Sequence, residues 1–398
     1  MAATAPAGSA PSPAVAPPPG NPRFALFDGL RGTAVLAVVV FHVFLVSGAL
    51  RRPVVGDAAT VLGSAGPILF FAISGFLLYR PWVAARDAGR PAPSTTRYAR
   101  RRALRIVPAY WVALTALAVY PGLSGVFSGE WWRFYGFLQV YWADTLSRGI
   151  PVAWTLCVEV SFYLVLPLWA LAAGRATPRR ELWALGLVAL GGIGVQLAAS
   201  RLALSHVAAT TLLGQCPWMA LGMALAVTSV HHHRGPRAMA ARPAACWCAA
   251  AAAFAGLVAL RHDSGGLLGL IDALRRPQPV ARTLAEIALI GVMTAMLLLP
   301  AVFGERAGGV PRRVLAARPV AWLGLVSYGV YLWHLTIAEL LALPAVPAHF
   351  AARGADLAGR IPQGATPELL VLTLALSCAV AAVSHRFGEL PFLRRTER

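Results

Sequence analysis

The sequence has no lysine, few acidic residues and few cysteines. Its 398 residues include 35 basic residues, every one an arginine, against 16 Asp and Glu, so the formal net charge is +19. Charged residues make up only 13% of the chain and hydrophobic residues 58%, which excludes both an ordinary soluble globular protein and a disordered chain. The five cysteines show no paired spacing, so we expect neither a disulfide framework nor a metal centre.

The arginines lie in short clusters between long apolar runs, which is typical of membrane proteins rather than of nucleic-acid-binding proteins. A hydrocarbon core of ~30 Å is crossed by about 20 apolar residues of helix. The sequence therefore predicts an all-α, multi-pass protein of the cell (plasma or inner) membrane, whose surroundings are the lipid bilayer and which binds no nucleic acid. We place ten transmembrane helices near 30–50, 61–79, 106–123, 152–173, 182–200, 211–230, 244–260, 284–303, 320–343 and 367–384.

The arginine clusters also predict the orientation of the chain, because arginine-rich loops stay in the cytoplasm. Most clusters lie on loops that join an even-numbered helix to the next odd-numbered one, so these loops and both termini are predicted to be cytoplasmic. The loop with Arg261, Arg275, Arg276 and Arg282 opposes this rule.

Two segments differ from the apolar runs. Residues 1–22 are rich in Ala and Pro and carry no charge, which predicts a disordered tail before a single membrane domain at 23–395. Pro121–Ile150 is rich in Trp and Tyr, and we expect it at the membrane interface rather than as another span.

Ionisable residues inside apolar spans are costly, so they are the first candidates for function. Arg31 and His42 are eleven steps apart in the first span and share one helical face, which predicts a polar track from the cytoplasm. Helical rise places His42, Glu159 of the fourth span and His334 of the ninth span all at a depth of about 20 Å from the inner surface. Glu159 and His334 are equally compatible with structural roles as helix-to-helix hydrogen-bonding groups.

These residues fall within motifs that resemble the integral-membrane acyltransferase-3 family, bacterial enzymes that O-acylate glycans, peptidoglycan and antibiotics. The resemblance covers nearly all of the chain from Arg23 to Arg395. It rests on five motifs in order: Asp28-Gly29-Leu30-Arg31 with His42, Phe70–Leu78 with Ser74, Arg101-Arg102-Ala103-Leu104-Arg105, Trp154-Thr155-Leu156 with Glu159, and Tyr331-Leu332-Trp333-His334 followed by Arg386, Phe387 and Glu389.

The resemblance implies a cytoplasmic acyl-CoA donor as co-substrate, a saccharide or other hydroxyl-bearing acceptor, no tightly bound cofactor and no metal. Arginine forks suit phosphate oxygens, so we expect Arg31, Arg101, Arg102 and Arg105 to bind the donor, with Asp28 as the partner of Arg31. His42 would act as general base or form an acyl-imidazole, and Glu159 or His334 would orient it or stabilise the alkoxide. Ser74, Trp154 and Tyr331 are further motif positions. A transporter or flippase for a glycan or small molecule, and a receptor or scaffold without chemistry, are the alternatives.

Overall fold

The structure, a computed structural model, describes residues 24–202, 207–231, 238–263, 278–303, 309–342 and 366–386. The predicted tail at 1–22 and the end of the closing motif, from Phe387 onward, lie outside the described residues. Within those ranges the chain is helical and forms no strand.

Ten of the described helices are long and apolar enough to cross a membrane, which confirms the predicted all-α, ten-helix architecture. Short helices α4, α7 and α11 lie between them. In chain order the helices are α1 (Ala25–Val46), α2 (Val55–Asp87), α3 (Thr95–Val119), α4 (Trp131–Tyr135), α5 (Trp154–Ala172), α6 (Pro178–Leu202), α7 (Val207–Thr210), α8 (Leu212–Val230), α9 (Pro243–Asp263), α10 (Val280–Phe303), α11 (Val310–Ala316), α12 (Arg318–Ala342) and α13 (Thr366–Ser384).

The helices around the first arginine cluster extend beyond their apolar runs. α2 has 33 residues, about 50 Å of helix, which exceeds the thickness of a hydrocarbon core. α3 begins at Thr95, where the Ser94 hydroxyl accepts a hydrogen bond from the backbone N–H of Arg97 at 3.3 Å. The arginines of 97–105 are therefore helical and not part of a loop, because hydropathy marks the hydrocarbon section of a helix and not its ends. We refer to this end of the bundle as the arginine-rich end.

α1 and α12 run parallel and cross closely at the arginine-rich end. A Cβ atom on Gly32 would lie 2.4 Å from the carbonyl oxygen of Val320, and one on Gly324 would lie 1.8 Å from that of Asp28. Only glycine permits this backbone approach. From this crossing, His42 and His334 are each ten residues further along their helices.

The aromatic segment Pro121–Ile150 folds back into the bundle. The predicted position at the membrane interface therefore describes only part of this segment. Tyr110 of α3 donates to the carbonyl oxygen of Phe134 at 3.0 Å, and Trp111 donates to that of Tyr135 at 2.9 Å. Tyr110 is nine residues before the end of α3, about 13 Å below it. The segment is not another span, as predicted, but a re-entrant one. Irregular backbone at such depth is tolerated where it is buried in protein.

At the opposite end, the arginines that oppose the positive-inside rule are partly neutralised. Arg261 of α9 lies 3.1 Å from the carboxylate of Glu286 of α10, and Arg282 lies 3.2 Å from the same group. Arg275 and Arg276 lie outside the described residues.

Candidate active site

His42 and His334 meet in the middle of the bundle. Nε2 of His334 lies 3.1 Å from Nδ1 of His42, and the ring centroids are 5.0 Å apart. The parallel register of α1 and α12 produces this contact, because both histidines follow the glycine crossing by the same ten residues. The prediction that these two side chains share one depth is therefore confirmed, and they are also lateral neighbours.

The His42 ring faces the interior of the bundle. Val35, Val38 and Val46 lie within 40° of His42 on the helical wheel of α1 and are 0%, 1% and 4% exposed. His42 itself keeps an intermediate exposure. Because its neighbours on that stripe are buried, His42 lies on the face of α1 that packs against the rest of the bundle.

Glu159 does not join the histidine pair, so its predicted depth is wrong. Thr155, at the start of α5, hydrogen-bonds the hydroxyl of Tyr331 at 2.9 Å, and Tyr331 is one turn before His334. Glu159 is one further turn toward the arginine-rich end. The prediction assumed that the fourth span enters at the outer surface, whereas α5 begins beneath the re-entrant segment. The carboxylate of Glu159 instead accepts hydrogen bonds from Ser74 at 2.9 Å and from Tyr163 at 2.5 Å.

Glu159 lines a small cavity of about 60 Å³, which we call the inner cavity. Arg31 of α1 and Arg105 of α3, two of the donor-binding candidates, lie in its wall. Toward the histidine pair, Phe70, Thr155 and Tyr331 complete the wall, and His42 does not line this cavity. The polar track expected between Arg31 and His42 is therefore interrupted by Tyr331, one turn short of the pair.

The inner cavity carries more hydrogen-bond donors than the protein satisfies. Nε of Arg31, in the wall of this cavity, is buried and has no hydrogen-bond partner among the described residues. The same is true of Nε of Arg102, which lies in the wall of the neighbouring cavity described next. Glu159 and, more weakly, Asp28 act on Arg31 electrostatically, while Arg105 repels it. Buried donors without a partner are costly, and guanidinium donors suit anionic oxygens. The site is suited to an anion.

A second and larger cavity of about 440 Å³ lies between the arginine-rich ends of α2 and α3. We call it the outer cavity because it lies at the end of the bundle, and the name does not refer to the outer surface of the membrane. Its volume falls within the usual range of small-molecule sites. Two aromatic rings, Trp82 and Tyr98, lie in its wall with centroids 6.2 Å apart. The arginines in its wall are Arg90, Arg97, Arg101 and Arg102.

Tyr98, Tyr163 and Arg102 separate the two cavities. The rings of Tyr98 and Tyr163 are 6.5 Å apart, and the Arg102 guanidinium lies 6.0 Å from the centre of the Tyr163 ring. Sequence reasoning gave no role to Trp82, Tyr98 or Tyr163. A signal existed for Tyr98, which lies three and four residues before Arg101 and Arg102 and so shares their helical face.

Two remaining predictions concern Trp154 and metal binding. Trp154 packs against Phe71, with ring centroids 6.2 Å apart, and does not line the inner cavity. In the part of the chain that the structure describes, no group of three His, Cys, Asp or Glu side chains could hold a metal ion. The chain also contains three consecutive histidines, of which His231 lies 3.1 Å from Asp87, while His232 and His233 lie outside the described residues.

Comparison with known proteins agrees with the sequence motifs. An acyltransferase domain family matches residues 24–384. The chain is similar to the acyltransferase MdmB of Streptomyces mycarofaciens, with 33% identity over 42% of this chain and 44% of the relative. It is also similar to the peptidoglycan O-acetyltransferase OatA of Listeria monocytogenes, with 22% identity over 79% of this chain and 49% of the relative. These alignments span about half the length of either relative.

No solved structure matches the chain. The family match, however, extends from the start of α1 to the end of α13, and so includes both histidines, both cavities and the re-entrant segment. This multi-pass membrane protein therefore belongs to the acyltransferase domain family whose motifs its sequence carries.

Proposed function

We propose that this protein transfers an acyl group from cytoplasmic acyl-CoA to a hydroxyl group of a glycan or glycosylated metabolite within the membrane. The observation that carries the proposal is the order of the sites from the arginine-rich end: the outer cavity, the inner cavity and, beyond Tyr331, the histidine pair. Family membership supports acyl transfer. The name of the Listeria relative, a peptidoglycan O-acetyltransferase, supports a saccharide acceptor.

The two cavities suit different parts of an acyl-CoA. The outer cavity, about 440 Å³ with arginines and two aromatic rings, suits a nucleotide with its phosphates. The inner cavity, about 60 Å³, has room only for the thioester end of the donor with a short acyl group. Tyr331 then stands between the thioester and His42, so its side chain must move or the acyl group must pass beside it.

The reaction needs one base that later serves as an acid. Nε2 of His42 takes the proton of the acceptor hydroxyl while the hydroxyl oxygen bonds to the thioester carbonyl carbon. The carbon–sulfur bond then breaks, and the proton passes from Nε2 to the CoA thiolate, which leaves as the free thiol. The products are the acyl ester and CoA. An acyl-imidazole at His42 reaches the same products in two steps.

The test is turnover of radiolabelled acetyl-CoA by the purified full chain with a soluble oligosaccharide acceptor. We expect transfer by the wild type and a loss of roughly 100- to 10,000-fold in His42→Ala, since general acid–base catalysis contributes that much. A transporter would show no thioester turnover in either protein. Full activity of His42→Ala, at normal protein yield, would contradict the catalytic assignment.

Arg31→Ala tests the donor side. A charge-assisted hydrogen bond contributes ~1.5–3 kcal/mol, so the KM for acetyl-CoA should rise roughly 10- to 100-fold while acceptor preference is unchanged. Arg179→Ala is the matched control, because Arg179 is exposed at the same end and lines neither cavity. An unchanged donor KM in Arg31→Ala would remove Arg31 from donor binding.

A further inference from the structure

The hydrogen bonds of the histidine pair define which nitrogen of each ring carries the proton. Nδ1 of His334 lies 2.8 Å from the carbonyl oxygen of Tyr331 and 3.1 Å from that of Val330. Carbonyl oxygens only accept hydrogen bonds, so this nitrogen must be the donor. In a neutral ring the other nitrogen, Nε2, is then a bare acceptor.

The same reasoning applies to His42. Its Nδ1 lies 2.9 Å from the carbonyl oxygen of Val38 and 3.1 Å from Nε2 of His334. Both of these neighbours are acceptors, so Nδ1 of His42 carries the proton and shares it between them. Both hydrogen bonds that the His42 ring makes within the described ranges involve Nδ1, so the lone pair of Nε2 is free. Among the described residues neither ring hydrogen-bonds a carboxylate, and two charged rings in contact would repel each other, which favours the neutral pair.

We propose that His334 is a positioning residue that holds His42 in the tautomer whose Nε2 is free to accept a proton. This assignment rests on the proposed function for its chemistry, but not for its geometry. When Nε2 of His42 takes up a proton, the Nδ1–H bond to His334 strengthens because its donor is then charged. His334 acts here as the orienting group behind a catalytic base, a part often played by a carboxylate.

The geometry also excludes a second role for His334. A proton relay would need Nδ1 of His334 to release its proton to a further base. That proton is directed at two backbone carbonyl oxygens of the preceding turn, which cannot take it up. The ring is 0% exposed, so no solvent replaces them. The pair therefore orients His42 and polarises it, and does not conduct protons through the membrane.

Substitutions at position 334 separate orientation from packing. The Gln side chain in His334→Gln brings an acceptor oxygen close to the place of Nε2, whereas Leu in His334→Leu fills similar space without an acceptor. We expect His334→Leu to lower kcat for acetyl transfer roughly 10- to 100-fold at unchanged donor KM, as loss of an orienting partner does elsewhere. His334→Gln should recover most of that loss. Equal loss in both variants, or no loss in either, would overturn the assignment.

His262→Leu is the matched control, because it makes the same change far from the histidine pair. His262 lies at the end of the bundle opposite the arginine-rich end, 3.0 Å from Asp57. Its kcat should equal that of the wild type. If the wild type itself transfers no acyl group, the proposed function fails and kcat cannot be compared between variants. A second measurement therefore tests the tautomer of His42 without any need for activity.

That measurement is solid-state ¹⁵N NMR of the full chain in lipid nanodiscs, with ¹⁵N-labelled histidine. The spectrum of His42, identified by its loss in His42→Gln, should show a protonated Nδ1 and an unprotonated Nε2. In His334→Leu the same ring should become a mixture of tautomers. A wild-type ring protonated at Nε2 would overturn the proposal whatever the enzyme assay shows.

Discussion

At the scale of the residue, Glu159 is the carboxylate that offsets two arginines in the inner cavity. Ser74 and Tyr163 hold it by hydrogen bonds of 2.9 Å and 2.5 Å, while Arg31 and Arg105 share the cavity wall. Charges in a protein interior act on one another over longer distances than in water. Glu159 and an anionic ligand are therefore attracted to the same guanidinium groups. We expect Glu159 to weaken donor binding and to stabilise the protein when no donor is bound.

Glu159→Gln tests this competition. Removal of the negative charge should lower the KM for acetyl-CoA by about tenfold, equivalent to ~1.4 kcal/mol, and should lower the stability of the donor-free protein by ~1–3 kcal/mol. Donor kinetics and thermal melting in detergent, with and without CoA, measure both effects. Glu286→Gln is the control, because Glu286 pairs with Arg261 and Arg282 at the opposite end and should alter stability alone. A higher donor KM in Glu159→Gln would show that the carboxylate contributes directly to binding.

Single residues also show how far the sequence allowed the site to be predicted. His42, His334 and Arg31 were identified because a polar side chain in an apolar span is conspicuous and costly. Tyr98, Tyr163 and Trp82 were not, because aromatic residues are ordinary in membrane helices and nothing in their spacing alone indicates a cavity wall. Charged residues within an apolar span can be found by inspection of the sequence. The residues that line a cavity can be identified only when the positions of the neighbouring helices are known.

At the scale of the element, the crossing of α1 and α12 determines whether the histidines meet. A methyl group on Gly324 would fall 1.8 Å from the backbone oxygen of Asp28, so Gly324→Ala must push the two helices apart. Overpacking of this kind costs ~1–3 kcal/mol. We expect a lower melting temperature together with a loss of transfer, since the contact between His42 and His334 is 3.1 Å and has little tolerance.

Gly186→Ala on α6 is the control for this prediction. An added Cβ there would meet nothing within 4 Å, so alanine should leave activity unchanged and stabilise the helix by about 0.5–1 kcal/mol. Equal activity of Gly324→Ala and wild type would show that the histidine contact survives a displaced helix, or that transfer does not need it.

The element scale also explains the one wrong depth. Helical rise gives the position of a residue along its own helix, but not the height at which that helix begins. α5 begins at Trp154, beneath Pro121–Ile150, and the error in Glu159 follows from that offset. For α1 and α12 the sequence does hold a common reference, because Gly32 and Gly324 each precede a histidine by ten residues. That shared spacing brings the two histidines to one height once the structure shows that the two glycines cross.

At the scale of the whole molecule, the ten spans were predictable because each must cross the full thickness of the hydrocarbon core. The hydropathy of the sequence shows such apolar lengths directly. Lateral order was not predictable, because lipid tails are as apolar as the helix surfaces and leave no pattern of inside and outside. Both cavities depend on lateral order, since each is bounded by helices distant in sequence. The direction of the bundle in the membrane remains a prediction from the arginines alone.

That direction can be measured with single cysteines. In a variant without the five native cysteines, Ala88→Cys places a thiol at the exposed end of α2 near the outer cavity. Gly129→Cys places one at the opposite end, where an added side chain meets open space. Arginine counting predicts that the arginine-rich end is cytoplasmic. A membrane-impermeant maleimide should therefore label Gly129→Cys on intact cells, and Ala88→Cys only after permeabilisation.

The reverse labelling would affect more than topology. It would place the outer cavity, with Arg90, Arg97 and Arg101, outside the cell, where acyl-CoA is not made. The histidine pair and its tautomer would be unaffected, because they depend on contacts within the bundle. The donor would then have to be an anionic acyl carrier supplied from outside. Labelling of both cysteines on intact cells, at full protein integrity, would instead show that the variant inserts in two orientations, and the donor assays would need a one-sided reconstitution.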